Sequence, residues 1–510
     1  MNKIIVLDFG GQYNQLIARR VRQCKVYSEI VAFNHDLSCL EDPEVKGIIF
    51  TGGPNSVYLE GAPSIDKKVF ELGKPILGIC YGAQLMAHLL GGQVGPCEKA
   101  EYGPLDLKIS GHTPLFTSVS KDLSVFMSHR DQVHVLPKGF ERLASTKTCP
   151  NAAFADEKRH LYAVQFHPEV THTEQGINML ENFVWLCCGA KKEWDSSYYV
   201  PKKIEEIRAQ VGDRPVLCAL SGGVDSAVVA ALLEKAVGEQ ANCFFIDHGL
   251  LRKNEADEVE GVFGDRSRFK LHFHRLDRGE LFLGRLEGIS DPEQKRKIIG
   301  KTFIDCFGEM YQDKAAGAFL AQGTIYPDRV ESGLGASAVI KSHHNVGGLP
   351  KDLPFVGLVE PLQDLFKDEV REVGRYLGLP SELVDRQPFP GPGLAVRIVG
   401  EITKEKIKIV QDADAIFREE VAKSGENKPS QYFAALSNMK SVGVKGDERS
   451  YDYAIVLRAV DTDDFMTAKP TRLSYDLLQH VADRIVNEVR GVNRVLFDFT
   501  AKPPSTIELE

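Results

Sequence analysis

Residues 215–226 constrain the fold more than any other stretch of this chain: Pro215-Val216-Leu217-Cys218-Ala219-Leu220 runs directly into Ser221-Gly222-Gly223-Val224-Asp225-Ser226. The apolar run reads as a buried strand, the paired glycines permit a tight turn, and the alanine- and leucine-rich text that follows reads as a helix. Asn242-Cys243-Phe244-Phe245-Ile246-Asp247 then returns as a second strand. That spacing predicts a βαβ unit with its glycine turn at the first strand–helix junction. A comparable junction occurs earlier, where Pro75-Ile76-Leu77-Gly78-Ile79 leads into Cys80-Tyr81-Gly82. With Gly47-Ile48-Ile49-Phe50 and the run at 161–166, it predicts an α/β sheet over residues 1–190.

A chain of 510 residues is too long for one ordinary core, and domains of about 150 residues imply roughly two to four of them. The polar stretch 191–197 reads as a connector, and Gln387-Pro388-Phe389-Pro390-Gly391-Pro392-Gly393 excludes helix or central strand. The expected division is therefore 1–190, 191–386 and 387–510, the second part a doubly wound parallel sheet. The last is a smaller α+β domain with helices near 404–423 and 475–489 and a strand at 453–457.

A formal net charge of -9 argues against nucleic-acid binding by phosphate neutralisation. Apolar runs fall short of the roughly 20 residues that a membrane span needs. The N-terminus reads as a buried strand and not as a signal peptide, so a cytoplasmic location is expected. Ten cysteines lack any CxxC spacing, which predicts reduced thiols with neither a disulfide framework nor a structural zinc.

Cys80 sits where a strand turns sharply into a helix, a position that exposes sulfur above the sheet edge and favours thiolate at the helix N-terminus. Alone, a cysteine between glycines is as often packing as chemistry. Gln165-Phe166-His167-Pro168-Glu169 changes that balance. His167 supplies a base after a strand, and Glu169 reaches its second ring nitrogen to fix the tautomer. Thr51-Gly52-Gly53-Pro54 leaves backbone N–H groups open to a developing oxyanion, with Gly53 and the Tyr81 N–H as the two donors; one such donor is worth about 3 kcal/mol. By itself that glycine pair is a simple turn.

The turn Ser221, Gly222, Gly223, Val224, Asp225, Ser226 lacks the Gly-Lys-Ser/Thr ending of a Walker loop. Its successive N–H groups and hydroxyls at a helix N-terminus suit a pyrophosphate, with Asp225 placed to hold Mg²⁺.

DFGGQY, TGGP, GICYGAQ and QFHPE, in that order, resemble the class I glutamine amidotransferase family. The resemblance implies a triad of Cys80, His167 and Glu169, a glutamyl thioester, release of ammonia, and Gln84 near the substrate. SGGVDS resembles the N-type ATP pyrophosphatase family, which implies cleavage of ATP between its α and β phosphates to adenylate an acceptor, with Asp247 beside the adenosine. A strand-end aspartate is otherwise often only a solvated cap. That family leaves the acceptor open among several. FIDHGLLRKNE, QGTIYPD, IKSHHNVGGLP, PFPGPGLAVR, SVGVKGDERSYDYA and KPPSTIELE resemble the glutamine-hydrolysing GMP synthetase family from end to end.

That resemblance implies xanthosine monophosphate (XMP), ATP and glutamine as substrates and a homodimer as the assembly. It also implies Arg252, Lys502 and Glu508 as XMP contacts and Lys341 as a lysine over the phosphates; without it, Arg252 and Lys341 read as solvated charges. Gln387, Leu509 and Arg130 depart from the family pattern. The alternatives are a synthetase with another adenylated acceptor, such as NAD⁺ synthetase, and a catalytically silent nucleotide sensor.

Overall fold

Ile4, Ile5, Val6 and Leu7 have no solvent exposure, because their strand lies inside a parallel sheet covered on both faces, where each apolar side chain gains roughly 1.5–3 kcal/mol by burial. A computed structural model describes residues 1–265, 267–311, 315–331, 355–445, 448–462 and 467–510. The chain divides into two units, Met1–Tyr199 and Val200–Glu510.

In the first unit the strands are β1 (Lys3–Asp8), β2 (Tyr27–Ala32), β3 (Val45–Phe50), β4 (Ile76–Ile79), β5 (Gln93–Ile109), β6 (Asp122–Val135), β7 (Glu141–Ser145), β8 (Ala153–Asp156) and β9 (Leu161–Val164). They form one sheet in the order β2-β1-β3-β4-β9-β8-β7-β5-β6. The first five of that order run parallel and the remainder antiparallel. The long pair β5–β6 is not legible in the sequence, since prolines and glycines interrupt its alternation. β5 meets β7 only through Lys108 and Ile109, so Pro96 and Pro104 lie where a missing N–H costs no bond to a second neighbour.

The second unit opens a five-stranded parallel sheet from β10 (Val216–Leu220), β11 (Ala241–Asp247), β12 (His272–Asp277), β13 (Phe319–Ala321) and β14 (Gly357–Val359). Its order is β12-β11-β10-β13-β14. Because the chain leaves β10 to one side and later returns on the other, β10 marks the switch point where ligands bind in such sheets. Helix Val224–Val237 follows it, and the expected connector at 191–197 gives way to helix Ser196–Val211.

A third sheet comprises β15 (Gln431–Lys445), β16 (Glu448–Asp461), β17 (Lys469–Pro470) and β18 (Val492–Phe497). Helices Lys404–Lys423 and Tyr475–Glu488 pack beside it. One apolar core runs from Leu217 and Phe244 through Leu394 and Ile398 to Leu457 and Val481. Gln387 ties into it by accepting from the Tyr432 N–H and donating to the Tyr432 carbonyl, each at 2.7 Å. Leu509 packs on the separate cluster of Phe433, Val460 and Ile507. Among the described residues, no helix is long and apolar enough to cross a membrane.

Candidate active site

Cys80 follows the end of β4 with φ 53° and ψ −106°, and helix Tyr81–Leu89 starts at the next residue. This is a strained backbone position for a residue with a Cβ, and it is held by close packing that only glycine allows. A Cβ on Gly78 would lie 2.7 Å from the Gly82 and Ala83 backbone, and one on Gly82 would lie 2.5 Å from Phe50 Cβ. The helix is thereby pressed onto the strand end and the sulfur is carried into a buried pocket. Around it, Gln165 Nε2 donates to Cys80 Sγ at 3.6 Å, and the thiol lies 3.7 Å from the Ser128 carbonyl.

His167 follows β9 and is buried, with Nδ1 2.7 Å from Oε1 of the fully buried Glu169. Burial alone would lower the His167 value; the Glu169 carboxylate and the Cys80 sulfur overcome it and hold the imidazole well above its ordinary range. Tyr13 packs edge-on against the ring at 5.2 Å. Cys80, His167 and Glu169 thus converge on one pocket. A Cβ on Gly53 would approach the Phe9 carbonyl and Tyr81 Cγ at 3.0 Å, so only glycine lets this backbone come so near the start of the helix. Gln84 donates to the Asp131 carbonyl at 2.7 Å and to Gln165 Oε1 at 3.1 Å. Arg130 Nε donates to the Tyr102 hydroxyl at 2.9 Å.

In the second unit, Ser221 through Ser226 turn from β10 into helix Val224–Val237, with Gly222 at φ +77° and Gly223 as N-cap. The loop is held from within: Ser226 Oγ accepts from the Ser221 N–H and donates to the Gly223 carbonyl, each at 3.1 Å. Arg386 fastens its outer side, donating to the Gly222 carbonyl and to Glu255. Lys367, a residue that the sequence reading misses, places Nζ 2.7 and 2.6 Å from the two Asp225 oxygens. A single lysine opening helix Lys367–Tyr376, followed by Asp368 and Glu369, is an ordinary surface feature in sequence, so no local signal points to it. Oxygen donors from Asp225 and the serine hydroxyls fit Mg²⁺, which takes one or two carboxylates and completes its shell with phosphate oxygens and water. Asp247, at the end of β11, pairs with Arg275 at 2.8 Å. Lys341 lies outside the described residues.

Arg252 is buried, its guanidinium 4.2 Å over the Phe389 ring, with one bond to the Pro388 carbonyl. Its Nε and Nη1 are buried without an acceptor among the described residues. Burial lowers its value to about 10 although Asp414 and Glu255 act against this. Arg397, also missed, lies 5.1 Å over the same ring and grips Glu508 through two bonds of 3.0 Å. Gln431 donates to the same carboxylate at 3.0 Å. Arg252, Arg397 and Glu508 are therefore gathered near Phe389, whereas Lys502 is anchored through backbone bonds to Ala468. Orphaned guanidinium donors cost about 1–3 kcal/mol each when buried, which suits a group awaiting an anionic or carbonyl-rich ligand.

Comparison with known proteins covers the whole chain. The family model described as glutamine amidotransferase class-I matches residues 5–187, that of asparagine synthase residues 206–264, and that of the GMP synthase C terminal domain residues 419–509. A protein of Clostridium botulinum strain Alaska E43, named GMP synthase [glutamine-hydrolyzing], is 58% identical over 508 residues, covering 99% of each chain. One of the same name from Agathobacter rectalis is 56% identical over 520 aligned positions, covering 100% of this chain and 99% of its own.

Proposed function

The chain belongs to the glutamine-hydrolysing GMP synthase family, and from that premise we propose how its two sites divide the reaction that forms GMP from XMP, glutamine and ATP. Glutamine hydrolysis falls to residues 1–190, ATP chemistry to 191–386, and XMP binding with dimerisation to 387–510, the XMP site also drawing on Arg252. The observation that carries this reading is the buried His167–Glu169 bond of 2.7 Å beside a cysteine on a strained strand–helix turn.

In the first site Cys80 Sγ attacks the glutamyl carbonyl carbon. His167 takes the thiol proton and returns it to the departing nitrogen, so that ammonia leaves and a thioester remains. The Gly53 and Tyr81 N–H groups face the oxyanion, and Glu169 keeps the His167 ring oriented. Water, deprotonated by the same imidazole, then breaks the thioester to glutamate and free thiol.

In the second site the residues Ser221 to Ser226 cradle the ATP phosphates, and the Lys367 ammonium, which pairs with Asp225, would turn to the phosphates when that carboxylate holds Mg²⁺. Asp225 and the serine hydroxyls would hold Mg²⁺, whose positive charge offsets that of pyrophosphate as it departs. The XMP C2 oxygen attacks the α-phosphorus; pyrophosphate leaves. Ammonia adds at C2 and AMP departs, giving GMP. Adenylation is needed because a purine oxygen is otherwise a poor leaving group. Asp247 and Lys341 are assigned to the ATP site, and Arg252, Lys502 and Glu508 to XMP. Support for the Arg252 assignment comes from its buried N–H groups that find no acceptor among the described residues.

The apolar side chains Val442, Val444 and Tyr451, exposed by 61%, 72% and 65% on the β15–β16 pair, support the homodimer. A cytoplasmic location fits the same reading. A coupled assay with XMP, ATP, Mg²⁺ and either glutamine or ammonium tests the function: GMP, AMP and pyrophosphate should appear together. AMP release without GMP, or with equal efficiency on another acceptor, would overturn it, and sedimentation of the intact chain as a monomer while it makes GMP would remove the dimer.

A further inference from the structure

One buried ionisable pair in the first unit takes no part in the proposed chemistry. Glu101 and His129 face each other directly across the β5–β6 ladder. Both are 5% exposed, and His129 Nε2 lies 2.7 Å from Glu101 Oε2. The other ring nitrogen, Nδ1, lies 2.9 Å from the Asp131 carbonyl. Both ring nitrogens thus face oxygen atoms of the wall and of the opposite strand. The second Glu101 oxygen accepts from Thr146 and Thr148. Burial would raise the Glu101 carboxyl, yet its bonds to His129 and Thr148 outweigh burial and hold it below the ordinary range.

The Asp131 carbonyl is the junction. It accepts from His129 on one side and from Gln84 Nε2 on the other, and Gln84 in turn reaches Gln165, which donates to Cys80 Sγ. Asp131 also holds Ser56 and Tyr58 through its carboxylate, and Ser128, three residues before it, presents its carbonyl to the thiol. Strand residues 128–131 therefore form one wall of the Cys80 pocket. That wall sits on a two-stranded arm whose prolines and register shift leave its backbone ladder incomplete between Pro96 and Glu101. Where ladder bonds are missing, a charged side-chain bond across the strands sets the position of the backbone.

We propose that Glu101, acting through His129, is a positioning residue that sets the wall at 128–131 for glutamine, and so tunes glutamine affinity without touching substrate. This rests on the assignment of glutamine chemistry to Cys80. Cys149 lies close enough to Glu101 and His129 for the three to be read as metal ligands. Each carboxylate oxygen already has a donor, however, and Nδ1 faces a carbonyl, so hydrogen bonds account for the cluster.

The test uses the full chain and the substitutions Glu101→Gln and Glu101→Asp. Losing a charge-assisted bond should raise the KM for glutamine by about tenfold while kcat changes by less than about threefold. GMP formation from ammonium should not change. Labelling of Cys80 by iodoacetamide, read at that residue by mass spectrometry, should proceed at the wild-type rate, but the glutamine concentration that protects it should rise about tenfold. Glu101→Asp, which keeps the charge, should recover part of the loss. If Glu101→Gln does not fold, Thr148→Val removes one donor to the same carboxylate and should shift protection in the same direction by a smaller factor.

Unchanged glutamine protection in folded variants overturns the inference, as does a fall in kcat at constant KM. One equivalent of zinc bound by the wild-type chain and lost in Glu101→Gln overturns it in favour of a metal site. Failure of glutamine to protect Cys80 in the wild-type chain would instead remove the underlying assignment, so the two failures are distinct.

Discussion

Lys367 Nζ contacts both carboxylate oxygens of Asp225, at 2.7 and 2.6 Å, and so neutralises the acidic side chain of the Ser221–Ser226 turn. Both side chains are partly exposed, 44% and 31%, and pairs of that kind add only about 0–1 kcal/mol to stability. The consequence is electrostatic: a polyphosphate meets a turn without net negative charge.

Lys367→Met should accordingly raise the KM for ATP by about tenfold or more with either nitrogen source, while the unfolding free energy changes by less than about 1 kcal/mol. Asp225→Asn should stop XMP-dependent release of pyrophosphate, because an amide is a poorer Mg²⁺ ligand than a carboxylate. Pyrophosphate release and thermal melts measure the two effects; near-normal adenylation by Asp225→Asn would exclude it as metal ligand.

Cys80→Ala should abolish GMP formation from glutamine and spare that from ammonium, since only thioester chemistry is lost. Joint loss of both activities in a folded variant would refute the separation of the two sites.

Glu169→Gln keeps shape but removes the carboxylate that raises His167. Because the folded value lies above the unfolded one, the pair's contribution to stability is fully present below about pH 6.5 and fades as pH rises through the raised value. Calorimetry from pH 6 upward should show the gap between wild type and variant narrowing; a gap that widens with pH would contradict the assigned direction. Glutaminase turnover should fall less than in Cys80→Ala.

Arg252→Met offers a contrast between binding and stability. The KM for XMP should rise by about tenfold or more, yet the melting temperature should hold or increase, because a buried guanidinium with two donors lacking acceptors among the described residues is exchanged for an apolar side chain of similar volume. A destabilised variant with normal XMP affinity would mark Arg252 as structural.

Arg458 has no solvent exposure and binds the C-terminal segment through the carbonyls of Thr500, Thr506 and Ile507 and the side chains of Asp498 and Ser505. Arg458→Met should cost about 3–5 kcal/mol by leaving these partners unpaired. It should also weaken XMP binding, since Lys502 and Glu508 ride on that segment. Limited proteolysis should then cut within 498–510 first; an intact tail with unchanged XMP affinity would refute the link.

The amino-acid order alone makes the α/β architecture of both halves legible, because apolar runs separated by glycine turns have few ways to bury both faces of a parallel sheet. It also determined the class of reaction, through motifs whose partners are close in the chain. His167 and Glu169 are two residues apart, and the turn from Ser221 to Ser226 closes on its own hydroxyls. Pairings across long separations emerge only in the folded chain. Lys367 reaches Asp225 over 142 residues and Arg397 reaches Glu508 over 111. Glu101 meets His129 only because β5 and β6 adopt one register in spite of their prolines. No local pattern encodes such contacts: they follow from strand order, register and the direction in which each side chain leaves its element, and these exist only once the sheets have formed.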